Sequence, residues 1–239
     1  MCNLITDYGQ AVTEGRARSD SPLNDPSGDR LAWISGQART SHAVIPVDWR
    51  FPLGGRLDYI SAGRQNRNYS AAFSHFDWNT FYDEMFGGEY LDELRREFRR
   101  DYDYVLIDSR TGLSDVADIC TIHLPDVLVD CFTLNDQSID GAVAVARRVQ
   151  DIHSDRGMRV LPVPMRVEDA ELDRLAAARD QIRLQFDRII ASHNGRNPKQ
   201  YWSEVEVPYT PFYAYEETLA TFRDVAGSPA SLLARTASE

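Results

Sequence analysis

The sequence predicts an α/β fold in which a mostly parallel sheet carries helices on both faces. Two observations predict it. From Val44 onward, short apolar runs alternate with longer segments of helical periodicity, the pattern of successive strand–helix–strand units. One of those runs, Tyr104-Val105-Leu106-Ile107, is apolar at every position, as expected of a strand buried on both faces. A length of 239 residues is enough for one such domain, or two small ones, and for a sizeable core.

The first 43 residues are predicted to be irregular and partly helical, with Leu4-Ile5 and Ala11-Val12 on a short helix and loop composition from Gly15 to Gly28. Residues 44–239 are assigned to a single α/β domain. Within it Leu57–Ile60 reads as a strand, and Ser61–Arg64 as the turn that leaves it. The aromatic stretch from Phe73 to Phe86 is interleaved with Asp77, Asp83 and Glu84 instead of basic residues, which favours core packing over nucleic-acid stacking. Gly87-Gly88 opens a helix with Leu91, Leu94 and Phe98 inside and Arg95, Arg96, Arg99 and Arg100 outside, near the end where cations are favoured.

After the central run, Ser114–Leu124 is predicted as a short helix and Val127–Leu134 as a strand. Ile139–Ile152 follows as a helix with Ala142, Val145, Val149 and Ile152 on one face. Arg159–Val163 is a strand closed by Pro164-Met165-Arg166. Glu168–Ser192 is a long helix with Leu175, Ala178, Ile182, Phe186 and Ile189 buried, terminated by Asn194-Gly195. Glu204–Val207 is a brief strand ended by Pro208, and Ser228-Pro229 precedes a last short helix.

A formal charge of −11 argues against broad nucleic-acid or anionic-membrane binding through the bulk field. No apolar run reaches the length of a membrane span, and the N-terminus lacks a signal pattern, so a cytoplasmic location is expected. Cys2, Cys120 and Cys131 lack metal-ligand spacing and read as reduced core thiols. The histidines show no Ser-His-Asp or metal-ligand spacing, and no G-x-S-x-G elbow is present.

In a doubly wound sheet, residues just beyond the strand ends converge on one edge, where ligands bind. Here those segments are Ser61–Arg64, Asp108–Asp115, Asn135–Ser138, Met165–Glu168 and Pro208–Phe212. Asp108 closes the central run and Gly112 follows four residues later, so the acid is placed to hold Mg²⁺ while the turn approaches a phosphate. The plainer reading is that a buried strand ends in Asp because a loop begins there.

The run Asp103-Tyr104-Val105-Leu106-Ile107-Asp108-Ser109-Arg110-Thr111-Gly112 resembles the Walker B and switch II segment of MinD/ParA-type P-loop ATPases. Together with Leu57–Gln65, Pro162–Glu171 and Val207–Glu217, it resembles an actinobacterial branch with a variant KGGVGKT-type motif. The resemblance covers the chain from about Val44 to Phe222. It implies a P-loop NTPase-like fold and an ATP-dependent molecular switch using ATP and Mg²⁺. Asp108 would be the catalytic Walker B acid near Mg²⁺, directly or through water, Gly112 would sit by the γ-phosphate, and Ser109, Arg110 and Thr111 would belong to the same cofactor-binding turn. Arg110 departs from relatives with Pro there and reads equally as a phosphate contact or as a surface or ion-pair residue. Asn135 would flank the pocket, Met165 and Arg166 would lie where relatives hold the base, and Pro208 would close its far side. The partner implied is a protein, either a second copy or a regulator.

No G-x-x-x-x-G-K-[ST] loop occurs in the chain, and its one lysine, Lys199, follows a helix and a proline. The family's first strand and phosphate loop would precede Met1, so the fold is expected to be incomplete at the N-terminus. Tyr104–Ile107 would then present an unpaired apolar edge. A fragment or mis-set start, a degenerate relative, and a sheet completed by another chain all fit these facts. The functional expectation is the C-terminal part of a nucleotide-binding ATPase that hydrolyses ATP inefficiently as it stands. The alternative is a non-catalytic protein-interaction or regulatory module derived from such an enzyme.

Overall fold

The computed structural model describes residues 2–17, 22–24, 29–51, 54–62, 76–109, 123–152, 157–168, 172–194 and 197–216. The chain is mixed α/β and divides into two compact units, Met1–Asp108 and Ser109–Glu239. Among the described residues no helix is long and apolar enough to cross a membrane.

The described helices of the first unit are α1 (Cys2–Arg16), α2 (Asp29–Gln37), α3 (Trp78–Asp83) and α4 (Gly87–Asp101), with a 3-10 turn at Pro22–Asn24. Its core collects Leu4, Ile5, Tyr8 and Val12 of α1, Ile34 of α2, Phe81 of α3, and Tyr90, Leu91, Leu94 and Phe98 of α4. The three-four spacing of the α4 residues therefore does what its sequence predicts. Tyr8 and Tyr90 stack with ring centroids 3.9 Å apart. Each hydroxyl has a partner, the Met85 carbonyl at 2.7 Å for Tyr8 and the Leu4 carbonyl at 3.1 Å for Tyr90. Burial drives both phenol pKa values well above the usual range.

Local chemistry sets the turn between α3 and α4. Asp77 caps α3, its Oδ1 accepting from the Asn79 and Thr80 N–H groups at 3.0 and 3.2 Å. Its other oxygen accepts the Thr80 hydroxyl at 2.7 Å, and this hydrogen bond leads in holding the carboxyl pKa below the ordinary value. Gly87 lies against the Phe81 ring. A Cβ there would stand 2.3 Å from Phe81 Cδ1 and 2.6 Å from the Phe81 carbonyl oxygen. Only glycine fits this approach.

The same unit contains a short antiparallel ribbon, β1 (Ile45–Pro46) against β2 (Asp58–Tyr59), lengthened by the Val47 N–H donating to the Leu57 carbonyl at 2.9 Å. The Leu57–Ile60 expectation is met in place, although the strand is shorter and its partner antiparallel. Tyr104–Ile107 is not the buried central strand expected. Residues 103–109 adopt no regular structure, and Tyr104 and Leu106 are 89% and 96% exposed. Apolar composition alone does not bury a strand: it needs a paired neighbour and a covering layer, and no described strand pairs with this run.

The second unit contains the parallel sheet β3 (Val127–Phe132), β4 (Arg159–Val167) and β5 (Val207–Pro208), in that order. Its described helices are α5 (Asp136–Ile152), α6 (Leu172–Asn194), α7 (Pro198–Val205) and the short α8 (Pro211–Glu216). One core joins Phe132 and Val160 of the sheet to Ile139, Val143 and Val149 of α5, to Ile182, Phe186 and Ile190 of α6, and to Tyr201 and Trp202 of α7. Phe132 stacks on Phe186 at 5.5 Å. Along β3, Val129 and Cys131 turn to the other face and are exposed. Cys131 is thus not a core thiol.

Three element predictions need correction. The buried stripe of α5 is Ile139, Ala142, Val143, Ala146 and Val149, while Ile152, its last residue, is exposed. β4 does not stop at Val163 but runs through Pro164 to Val167. The Pro162 carbonyl accepts the Tyr201 hydroxyl at 2.9 Å, so that residue's polar edge faces away from β3 and its missing N–H removes no β3 ladder bond. Glu204 and Val205 belong to α7, and the brief strand starts at Val207. The predicted helices at Ser114–Leu124 and after Ser228-Pro229 lie essentially outside the described residues.

Candidate functional site

Parallel pairing decides which predicted residues meet. Phe132 is in register with Pro164, Met165 with Val207, and Val167 with Pro208. All three strands therefore leave the sheet at one edge, and Asn135, Met165, Arg166 and Pro208 stand there together. The first and last are fixed by ordinary backbone chemistry. Asn135 caps α5, its Oδ1 accepting the Ser138 N–H at 2.9 Å and its Nδ2 donating to the Thr133 hydroxyl at 2.7 Å. The Ser138 hydroxyl accepts the Thr133 N–H at 3.1 Å, which closes the turn. Pro208 sits where β5 ends, and the next residue, Tyr209, donates its N–H to the Val167 carbonyl at 2.9 Å.

Arg166 is the unusual member. Its backbone is left-handed, with φ +56°, at an irregularity where the β4–β5 register shifts between Met165 and Val167. A non-glycine residue in that region is uncommon, and bulges of this kind re-aim side chains. Here the guanidinium is aimed over the Tyr209 ring, 5.0 Å from its centroid. The edge thus offers one cation, one aromatic ring and the N-terminal end of the 17-residue helix α5. The element beneath Pro208 is anchored independently: Arg179 of α6 grips Glu206 through paired contacts of 2.9 and 2.6 Å, and Trp202 donates to Asp187 at 2.9 Å.

The remaining predicted residues are placed differently. Asp108 is the last residue of the first unit, is exposed, and has no hydrogen bond or ion pair among the described residues. Ser109 is half-buried and opens the second unit. Arg110, Thr111 and Gly112 lie outside the described residues.

Sequence reasoning missed Asp130. It occupies the helix-facing side of β3 between Leu128 and Phe132, and its Oδ2 is buried with no hydrogen-bond partner among the described residues. Burial lifts its pKa to about 7. The neighbouring Cys131, though exposed overall, has its thiol pKa raised by partial desolvation and then by the Asp130 charge. The available signal was one acid at an inward position of an otherwise apolar strand.

No protein-family model, no curated protein and no solved structure matches the chain.

Proposed function

We propose that the chain is the C-terminal part of a MinD/ParA-like nucleotide-binding ATPase, an ATP-dependent molecular switch, and that as it stands it does not hydrolyse ATP efficiently. One observation carries the reading. The loops that the sequence assigns to the nucleotide pocket, at Asn135, Met165–Arg166 and Pro208, leave adjacent parallel strands at a single edge. Ligands of open parallel sheets bind at that edge.

The residues fit the two halves of ATP unequally. Arg166, Tyr209 and the capped start of α5 suit a planar base and a single negative group. The triphosphate is not matched, because a phosphate cradle needs successive backbone N–H groups and a lysine on the β- and γ-oxygens. The sequence contains no such loop. Without the cradle, most of the electrostatic stabilisation of phosphoryl transfer is missing. In this reading the complete sheet is P-loop NTPase-like with helices on both faces, and Asp108 is its Mg²⁺ acid.

Calorimetry of the purified chain with Mg-ATP tests the proposal. Weak binding is expected, reduced about fivefold or more by Arg166→Ala, which removes the guanidinium at the pocket. Asp108→Ala is expected to abolish the difference between ATP with and without Mg²⁺. A well-folded chain that takes up no nucleotide would overturn the assignment.

A further inference from the structure

We propose that the exposed run Asp103–Asp108 is a docking strand that captures an extended, apolar, basic-flanked segment of a partner protein by backbone pairing. The proposal does not rest on the nucleotide reading, although both use Asp108; the observation that carries that reading lies in the second unit.

Three features of the run define its occupant. First, the chain from Asp103 to Ser109 is outside helix and sheet, and none of its backbone groups pairs with a described residue. Backbone N–H and C=O groups left unpaired among the described residues suit another extended backbone, and a helix cannot satisfy them.

Second, the run is held in place. The Tyr102 hydroxyl donates to Asp58 Oδ2 at 2.8 Å, Arg56 Nε meets the same oxygen at 2.9 Å, and the Arg56 guanidinium lies 5.4 Å over the Tyr102 ring. That latch sets the run beside the β1–β2 ribbon, where Val47, Trp49, Leu57 and Tyr59 are also exposed. Tyr104 and Leu106 of the run are exposed as well, so apolar side chains stand in water on both the run and the ribbon.

Third, the ends of the run are acidic. Asp103 and Asp108 are exposed, and neither has an ion-pair partner among the described residues. In-register pairing with a second copy would set Asp103 against Asp108 if antiparallel, or each acid against itself if parallel. Like charges directly opposite destabilise a strand pair, and the chain's charge of −11 adds to the repulsion. Lysine or arginine at both ends of the incoming strand reverses the sign and sets its register.

Hydrogen exchange on the full chain reads this pairing directly. The probe is an end-blocked peptide Lys-Arg-Val-Thr-Ile-Thr-Val-Arg-Lys, and the control has the same core flanked by Asp and Glu. Amides 104–107 are expected to exchange fast in the free chain and to slow about tenfold or more with the basic peptide, as paired strand amides do. The acidic peptide leaves them fast, and Leu106→Pro, which removes one donor, abolishes the protection. Should Leu106→Pro fail to fold, Leu106→Asp at the same exposed site decides instead. Unchanged exchange with the basic peptide, or equal protection by the acidic one, overturns the proposal. So does protection that rises with protein concentration alone, which would assign the surface to a second copy.

Discussion

Two runs of similar mean hydropathy end differently in this molecule. Val127–Phe132 lies in a sheet, paired along its length with β4 and covered by helices on the side of Leu128 and Phe132. Tyr104–Ile107 lies outside the described sheets, with Tyr104, Val105 and Leu106 exposed. Their hydropathy does not separate them. What differs is the neighbourhood: β3 has a parallel partner one helix later in the chain, and that helix packs back onto the pair. The first unit buries its apolar residues through helices around Tyr8, Phe81 and Tyr90 and leaves its extended segments at the surface.

The sharpest way to break this contrast is in the second core. Phe186→Ala removes a fully buried ring that stacks on Phe132 and meets Trp202 edge-on, and should cost about 3–5 kcal/mol in a denaturant melt. Loss of the β3–β4 sheet signal is expected with it. Gly87→Ala is the counterpart in the first unit. Its Cβ must displace the Phe81 ring and backbone, at a cost of about 2–3 kcal/mol, and tryptophan fluorescence from Trp33 and Trp78 should report the change.

Asp130 sharpens the comparison through pH. Its folded pKa, about 7, lies above the unfolded carboxylate value, so the folded state holds this proton more tightly. The group's contribution to stability is therefore highest in acid, declines as pH rises from about 4 to about 7, and is flat above that. Asp130→Asn removes the ionisation. It should match the parent near pH 4 and exceed it by roughly 2 kcal/mol at pH 8, after allowance for partial exposure. A parent curve of melting temperature against pH with no such decline would contradict the burial of this carboxyl. The smallest effect belongs to the exposed run. Leu106→Ala should change stability by less than about 0.5 kcal/mol, since the side chain is in water already.

The helices were legible because a buried stripe every three or four residues leaves a trace that needs no partner to be read. Leu91, Leu94 and Phe98 of α4 and Ile182, Phe186 and Ile189 of α6 are inside as their spacing predicts. Strand burial was less legible, since it depends on what pairs alongside. The convergence of Asn135, Met165, Arg166 and Pro208 followed from chain order alone, given parallel strands joined by helices. The left-handed Arg166 and its ring contact did not, because a register shift between two strands has no marker in either. Asp130 was hidden by the richness of the Val, Leu and Phe around it. The turn that would carry Arg110, Thr111 and Gly112 lies outside the described residues.

The prolines of β4 have a consequence for the chain before it is fully folded. Pro162 and Pro164 interrupt the donors on the side of β4 that faces away from β3, and Pro162 presents only a carbonyl there, which accepts the Tyr201 hydroxyl in the folded chain. A strand from a neighbouring molecule that arrived on that flank during synthesis or refolding would find acceptors without donors and could not zip along it. The nascent sheet is thereby shielded from runaway polymerisation on one side, and β5 is admitted only past Pro164, where the donors resume.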